Sequence, residues 1–133
     1  MSGKLANILY VEDHGDSIER ATLGLTRDHY NVVAARSFDE AVELAHTRPF
    51  DLYLIDNWRI GRSGIELCKR LRQTDHLTPI LFYSAAAYEY DKEEVFAAGA
   101  DGYLSKPAFS PQLLNEVSRL TAKREARVPE NVV

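Results

Sequence analysis

Ala6-Asn7-Ile8-Leu9-Tyr10-Val11-Glu12-Asp13 is an apolar run that stops abruptly at two acids. The run is too short for a globular helix and is rich in Ile, Leu, Tyr and Val, so it reads as a strand. The same reading applies to Tyr30–Ala35, Asp51–Ile55, Pro79–Tyr83 and Asp101–Leu104, giving five strands in all. Between them the apolar residues recur at helical spacing, as in Phe38, Ala41, Val42, Ala45, in Ile65, Cys68, Leu71 and in Leu113, Val117, Leu120. Strand and helix therefore alternate. Helix starts are marked by Asp16/Glu19, Ser37/Glu40, Ser63/Glu66 and Asp91/Glu94, each a capping side chain three residues before an acid. Ser110 followed by Pro111 marks the last start, and Gly99 is placed to close the fourth helix in a left-handed conformation. Repeated strand–helix units with short connections require parallel pairing and right-handed crossovers. The fold class is thus α/β, a doubly wound parallel sheet with helices on both faces.

In such a sheet every strand ends on the same edge, where open α/β proteins bind ligands. Glu12-Asp13, Asp56 and Lys106-Pro107 all fall at strand ends, so three acids and one amine converge. Two unit charges about 4 Å apart at an effective dielectric near 20 repel by about 4 kcal/mol. A hard divalent cation relieves that repulsion, and an all-oxygen donor set with room for water and phosphate oxygens suits Mg²⁺ better than zinc. An Asp beside Mg²⁺ and Lys is equipped to attack phosphorus, because the cations neutralise charge that builds on the phosphoryl oxygens.

Composition sets the outer bounds. At 133 residues the chain is one domain, and a net charge of −4 leaves no footprint for nucleic acid or an anionic membrane. Cys68 is the one cysteine, which excludes an internal disulfide or a cysteine-based metal cluster and points to a reducing, cytoplasmic setting. No apolar stretch approaches the length of a membrane span. The expected domain covers 5–121, with 122–133 a polar, frayed tail. His14, His29, His46 and His76 lack metal-ligand spacing, and Lys123, Arg124 and Arg127 read as a basic helix end. Tyr88, Tyr90 and Phe109 read as ordinary surface aromatics, and Cys68 as a packed, unreactive thiol.

From about Asn7 to Leu120 the chain resembles the response-regulator receiver domain of two-component signalling, of the stand-alone type. The resemblance rests on Ile8-Leu9-Tyr10-Val11-Glu12-Asp13, Asp51-Leu52-Tyr53-Leu54-Ile55-Asp56, Ser84-Ala85 and Ala97-Ala98-Gly99-Ala100-Asp101-Gly102-Tyr103-Leu104-Ser105-Lys106-Pro107. It implies a flavodoxin-like strand order 2-1-3-4-5, with Asp56 the phosphoacceptor for a histidine kinase or a His-containing phosphotransfer protein. It further implies Mg²⁺ held by Asp13 and Asp56, by Glu12 through water and by the Trp58 carbonyl. Ser84 and Lys106 would contact the phosphoryl oxygens and the bond to Pro107 would be cis. Ser84 and Tyr103 would relay the signal to the surface of the fourth helix, fifth strand and fifth helix, for an unknown downstream protein or a phosphorylation-dependent homodimer. The chain would act as a phosphoacceptor with slow self-dephosphorylation rather than as an enzyme on an external metabolite.

Two positions depart from the family pattern: Ile60 stands where proline is usual, and Trp58 is a bulky residue overlooking the phosphoryl group, expected to impede the hydrolytic water. A phosphorylation-independent docking scaffold is the alternative, disfavoured because the acceptor and the acid pair are both present. A flavin or dinucleotide enzyme is disfavoured because Glu12-Asp13-His14-Gly15-Asp16 puts acids where a cofactor phosphate needs donors.

Overall fold

The computed structural model describes residues 5–12, 15–55, 64–85, 92–106 and 111–127, with the main chain alone at 17, 84, 85, 106 and 125–127. Ten elements alternate among the described residues. They are β1 (Ala6–Val11), α1 (Gly15–Arg27), β2 (Tyr30–Ala35), α2 (Phe38–Thr47), β3 (Leu52–Ile55), α3 (Gly64–Arg72), β4 (Ile80–Ala85), α4 (Lys92–Ala97), β5 (Gly102–Lys106) and α5 (Pro111–Arg127). All strand pairs among the described residues are parallel, in the order β2-β1-β3-β4-β5 that the family resemblance implies.

The period-2 geometry of a strand sends alternate side chains to opposite faces, and here both faces are covered. Leu9, Val11, Tyr53, Ile55, Ile80 and Phe82 pack against α2, α3 and α4. Ile8, Tyr10, Leu52, Leu54, Leu81 and Tyr83 pack against α1 and α5. Each fully buried Leu- or Ile-sized side chain contributes roughly 1.5–3 kcal/mol, which makes the three central strands the energetic centre of the molecule.

Several element ends differ from the sequence expectation. Ser37 caps α2 as expected, its hydroxyl accepting from the Glu40 N–H at 3.1 Å, but Glu40 reaches back to the Arg36 N–H (2.8 Å), one residue earlier than a closed capping box. Asp16 is not a cap, since α1 already begins at Gly15; it sits inside the first turn and acts there on the helix dipole. α1 ends through His29, whose φ of 69° is left-handed although it is not glycine. β4 and β5 run two residues past Tyr83 and Leu104, because their ladder continues through Ser84↔Ser105 and Ala85↔Lys106 irrespective of side-chain polarity. α5 continues through Arg127, beyond the boundary expected at Thr121. Leu120 is buried, and Arg124 one turn later lies 3.6 Å from Asp51, whose other carboxylate oxygen accepts the Asn7 N–H.

The amino-terminal edge of the sheet is tied together by Arg72. Its guanidinium donates to the carbonyls of Gly99 (3.0 Å), Asp75 (3.0 Å) and Thr78 (2.7 Å) and to the Asp101 carboxylate (2.9 Å). Asp101 also accepts the Ile80 N–H, so one side chain links α3 to the starts of both β4 and β5. Gly99 has φ 115°, and a Cβ there would lie 2.7 Å from Arg72 Cγ, so the glycine is required both by the backbone and by the approach of the arginine. Burial raises the Asp75 carboxyl, but hydrogen bonds from Thr78, Tyr53 and Leu77 outweigh it and hold the group below its usual value.

Arg72→Ala strands these acceptors in a partly buried site and is expected to destabilise the fold by about 2–4 kcal/mol in urea denaturation. Arg72→Lys is expected to recover less than half of that loss, because an ammonium cannot reproduce the planar fork of donors.

Candidate functional site

The register of the sheet builds the carboxyl edge. Ala35, Val11, Ile55, Phe82 and Tyr103 form one row across β2, β1, β3, β4 and β5. Neighbouring strands lie about 4.8 Å apart, so the chain leaves β1 toward Glu12 and leaves β3 toward Asp56 side by side. Glu12 is buried, with 2 % of its surface exposed, and its N–H donates to the Ala35 carbonyl at 3.0 Å. A carboxylate this withdrawn from water carries a desolvation cost of several kcal/mol unless charge or hydrogen bonds offset it.

Ser84 and Lys106 are placed by their main chain on β4 and β5, two and three residues beyond the row, roughly 7–10 Å further along the strands. Lys106 is therefore the last residue of its strand rather than two residues beyond its end. Asp13, Asp56, Trp58 and Pro107 lie outside the described residues, as do Ile60, the caps Ser63, Asp91 and Ser110, and His14. Among the described residues no group of three or more His, Cys, Asp and Glu is arranged to hold a metal. Glu12 is the one member of the acid set that is described, and its oxygen donors at the carboxyl edge fit a hard cation.

Tyr103 is half-buried against the α2–α3–α4 core, and Lys92 Nζ stands 5.5 Å from its ring centroid. On the same helix Phe96 is 45 % exposed. Cys68 lies buried on α3 with its thiol donating to the Ala98 carbonyl (3.3 Å). Burial pushes the thiol up to about 11, with Arg72 pulling it down and Asp101 pushing it further up. That environment is the reverse of a reactive cysteine.

One residue was not singled out from the sequence. Arg36 follows the last residue of β2, and its Nη2 lies 3.2 Å from the position a Cβ would take on Gly15, the first residue of α1. Its signal in the sequence is only that it follows the second strand, which becomes a neighbour of the Glu12-Asp13 turn once the 2-1-3 order is known.

Doubly wound topology, a buried acid at the end of β1 and strand ends aligned at one edge make the carboxyl edge the candidate site, since open α/β sheets take their ligands there. The response regulator receiver domain model matches residues 8–118. The alkaline phosphatase synthesis transcriptional regulatory protein PhoP of Bacillus subtilis is 35 % identical over 125 residues, covering 93 % of this chain and 52 % of the relative. A putative response regulator from Chloroflexus aurantiacus superposes with a TM-score of 0.84 at 32 % identity, covering 90 % of this chain and 99 % of that one. The chemotaxis response regulator CheY4 of Vibrio cholerae gives a TM-score of 0.80 at 28 % identity, covering 88 % and 99 %. The chain belongs to the response-regulator receiver family, with the flavodoxin-like fold of CheY-like proteins. It spans about half the length of the curated relatives it matches. Among the described residues no helix is long and apolar enough to cross a membrane.

Thiol labelling checks the electrostatics at Cys68. At pH 8 the native protein is expected to react with a disulfide reagent at least ~100-fold more slowly than the urea-unfolded chain, because both access and thiolate are lacking.

Proposed function

We propose that the chain is a Mg²⁺-dependent aspartyl phosphoacceptor switch. A histidine kinase or His-containing phosphotransfer protein supplies the phosphoryl group. The observation that carries the reading is the register row Val11–Ile55–Phe82–Tyr103, which brings the chain exits toward Glu12 and Asp56 together at one edge with Ser84 and Lys106 on the neighbouring strands. In this reading an Asp56 carboxylate oxygen forms a bond to phosphorus as the phosphorus–nitrogen bond of a phosphohistidine donor breaks. The imidazole leaves with the bonding electron pair, and an acyl phosphate remains on Asp56.

Glu12, Asp13, Asp56 and the Trp58 carbonyl would hold the Mg²⁺, which when bound supplies charge neutralisation to the phosphoryl oxygens. Lys106 adds a second positive charge, and the Ser84 hydroxyl donates to a phosphoryl oxygen. The modified side chain is bulkier and more negative, so it favours the arrangement in which Ser84 moves inward and Tyr103 repacks. Tyr103 touches both the core and Lys92 of α4, which suits it to report that change at the surface of α4, β5 and α5. The output is association with a downstream protein or a second copy. Several longer relatives are named as transcriptional regulators, while the net charge of −4 gives this chain no basic footprint for DNA.

Incubation with acetyl phosphate and Mg²⁺ is expected to add one phosphoryl group in intact-mass spectra and to alter Trp58 fluorescence. Neither change is expected in Asp56→Asn or in the presence of a chelator. A spectral response that persists in Asp56→Asn would instead favour a docking scaffold that works without phosphorylation.

Trp58 is read as a shield against the hydrolytic water. Trp58→Ala is therefore expected to shorten the acyl-phosphate half-life by about 3- to 10-fold, a lowering of the hydrolysis barrier by roughly 1 kcal/mol. An unchanged or longer half-life overturns the shield.

A further inference from the structure

The open groove between α1 and the outer strand β2 has a volume of about 650 Å³ and is lined by Asp16, Glu19, Glu40 and Arg36 among its charged residues. Arg36 is the one cation among those lining residues, against three carboxylates. Its main-chain N–H is bonded to Glu40, while its guanidinium makes no hydrogen bond or ion pair with any described residue. The guanidinium lies over Gly15, and the carbonyl just before Arg36 accepts the Glu12 N–H at 3.0 Å. Residues 35 and 36 thus touch both ends of the short turn that carries the acid pair. The cation lies against the start of α1, beside the turn that follows β1, on ground that is otherwise acidic.

We propose that Arg36 is a specificity-determining residue for the phosphoryl donor, an inference that rests on the phosphoacceptor reading. A polyanionic donor approaching a rim of carboxylates is repelled, and one uncommitted guanidinium reverses that locally. The same charge opposes the divalent cation that the acids collect. Arg36 therefore acts in opposite directions on the two ligands of one site: it favours the anionic donor and disfavours the metal. A residue with a merely structural role would move both in the same direction.

The test compares wild type with Arg36→Ala, Arg36→Glu and Arg36→Lys at low ionic strength. Phosphorylation is followed by mass spectrometry with two donors of different charge, acetyl phosphate and phosphoramidate, and Mg²⁺ affinity by titration of the Trp58 emission. Arg36→Ala is expected to slow acetyl phosphate two- to fivefold and to tighten Mg²⁺ binding by a similar factor, as expected for one exposed charge within about 10 Å. The slowing should be smaller for the less charged phosphoramidate. Arg36→Glu should exaggerate each change, Arg36→Lys should restore wild-type values, and about 1 M salt should erase the differences.

Equal rates and equal Mg²⁺ affinity in wild type and Arg36→Glu, with a wild type that is phosphorylated on Asp56, overturn the inference alone. Parallel loss of both donors and of metal affinity assigns Arg36 a structural role and also overturns it. A wild type that takes neither phosphoryl group nor metal overturns the phosphoacceptor reading and this inference together.

Discussion

The Arg72–Asp101 pair fixes where two strands begin, and the far edge of the sheet inherits that decision. Asp101 accepts both Arg72 Nη2 and the Ile80 N–H, so the first residue of β4 and the residue before β5 are pinned to the same carboxylate. A parallel ladder allows no slip once its start is set, because a shift of one residue would turn every buried side chain to the other face. Phe82 opposite Tyr103 and Ala85 opposite Lys106 follow directly. The position of the lysine at the carboxyl edge is thus determined by an arginine at the amino edge.

The structural amino edge and the candidate site at the carboxyl edge differ in how each spends its polar groups. At the amino edge Asp75 and Asp101 accept several donors each, and Tyr53 donates to Asp75 at 2.8 Å while its own ionisation is pushed far up, first by burial and then by that carboxylate. Such fully engaged groups rigidify a connection. At the carboxyl edge Glu12 is withdrawn from solvent at the end of a strand whose residues Ile8 to Val11 are completely buried. A rigid β1 holding a buried acid is what a preorganised charge site requires, since little has to move when a ligand arrives.

Most of the architecture was legible because periodicity and topology are local or nearly local signals. Runs such as Ile8–Val11 and Leu52–Ile55 read as strands by length and composition, and the Ser37 and Gly99 signals gave the start of α2 and the stop after α4. What escaped had specific causes. The ends of β4 and β5 were set too short because Ser84, Ser105 and Lys106 are polar, whereas main-chain pairing is indifferent to that. His29 in a left-handed conformation has no sequence pattern, since glycine or asparagine is the usual occupant. Arg72 gathers partners from residues 75 to 101, contacts that only the tertiary fold creates. Glu12 was recognised as a site residue, but its burial was not, and Arg36 became visible only when β2 was seen to flank β1.

The contrast between Arg72 and Arg36 gives a criterion for separating structural from functional cations in this fold. Arg72 is 15 % exposed and spends four of the five N–H donors of its guanidinium on protein acceptors. Arg36 is exposed, stands against a glycine and leaves its guanidinium uncommitted among the described residues while acids line the groove around it. A cation so placed is free to meet what approaches from solution, and under the proposed phosphoacceptor reading that is an anion.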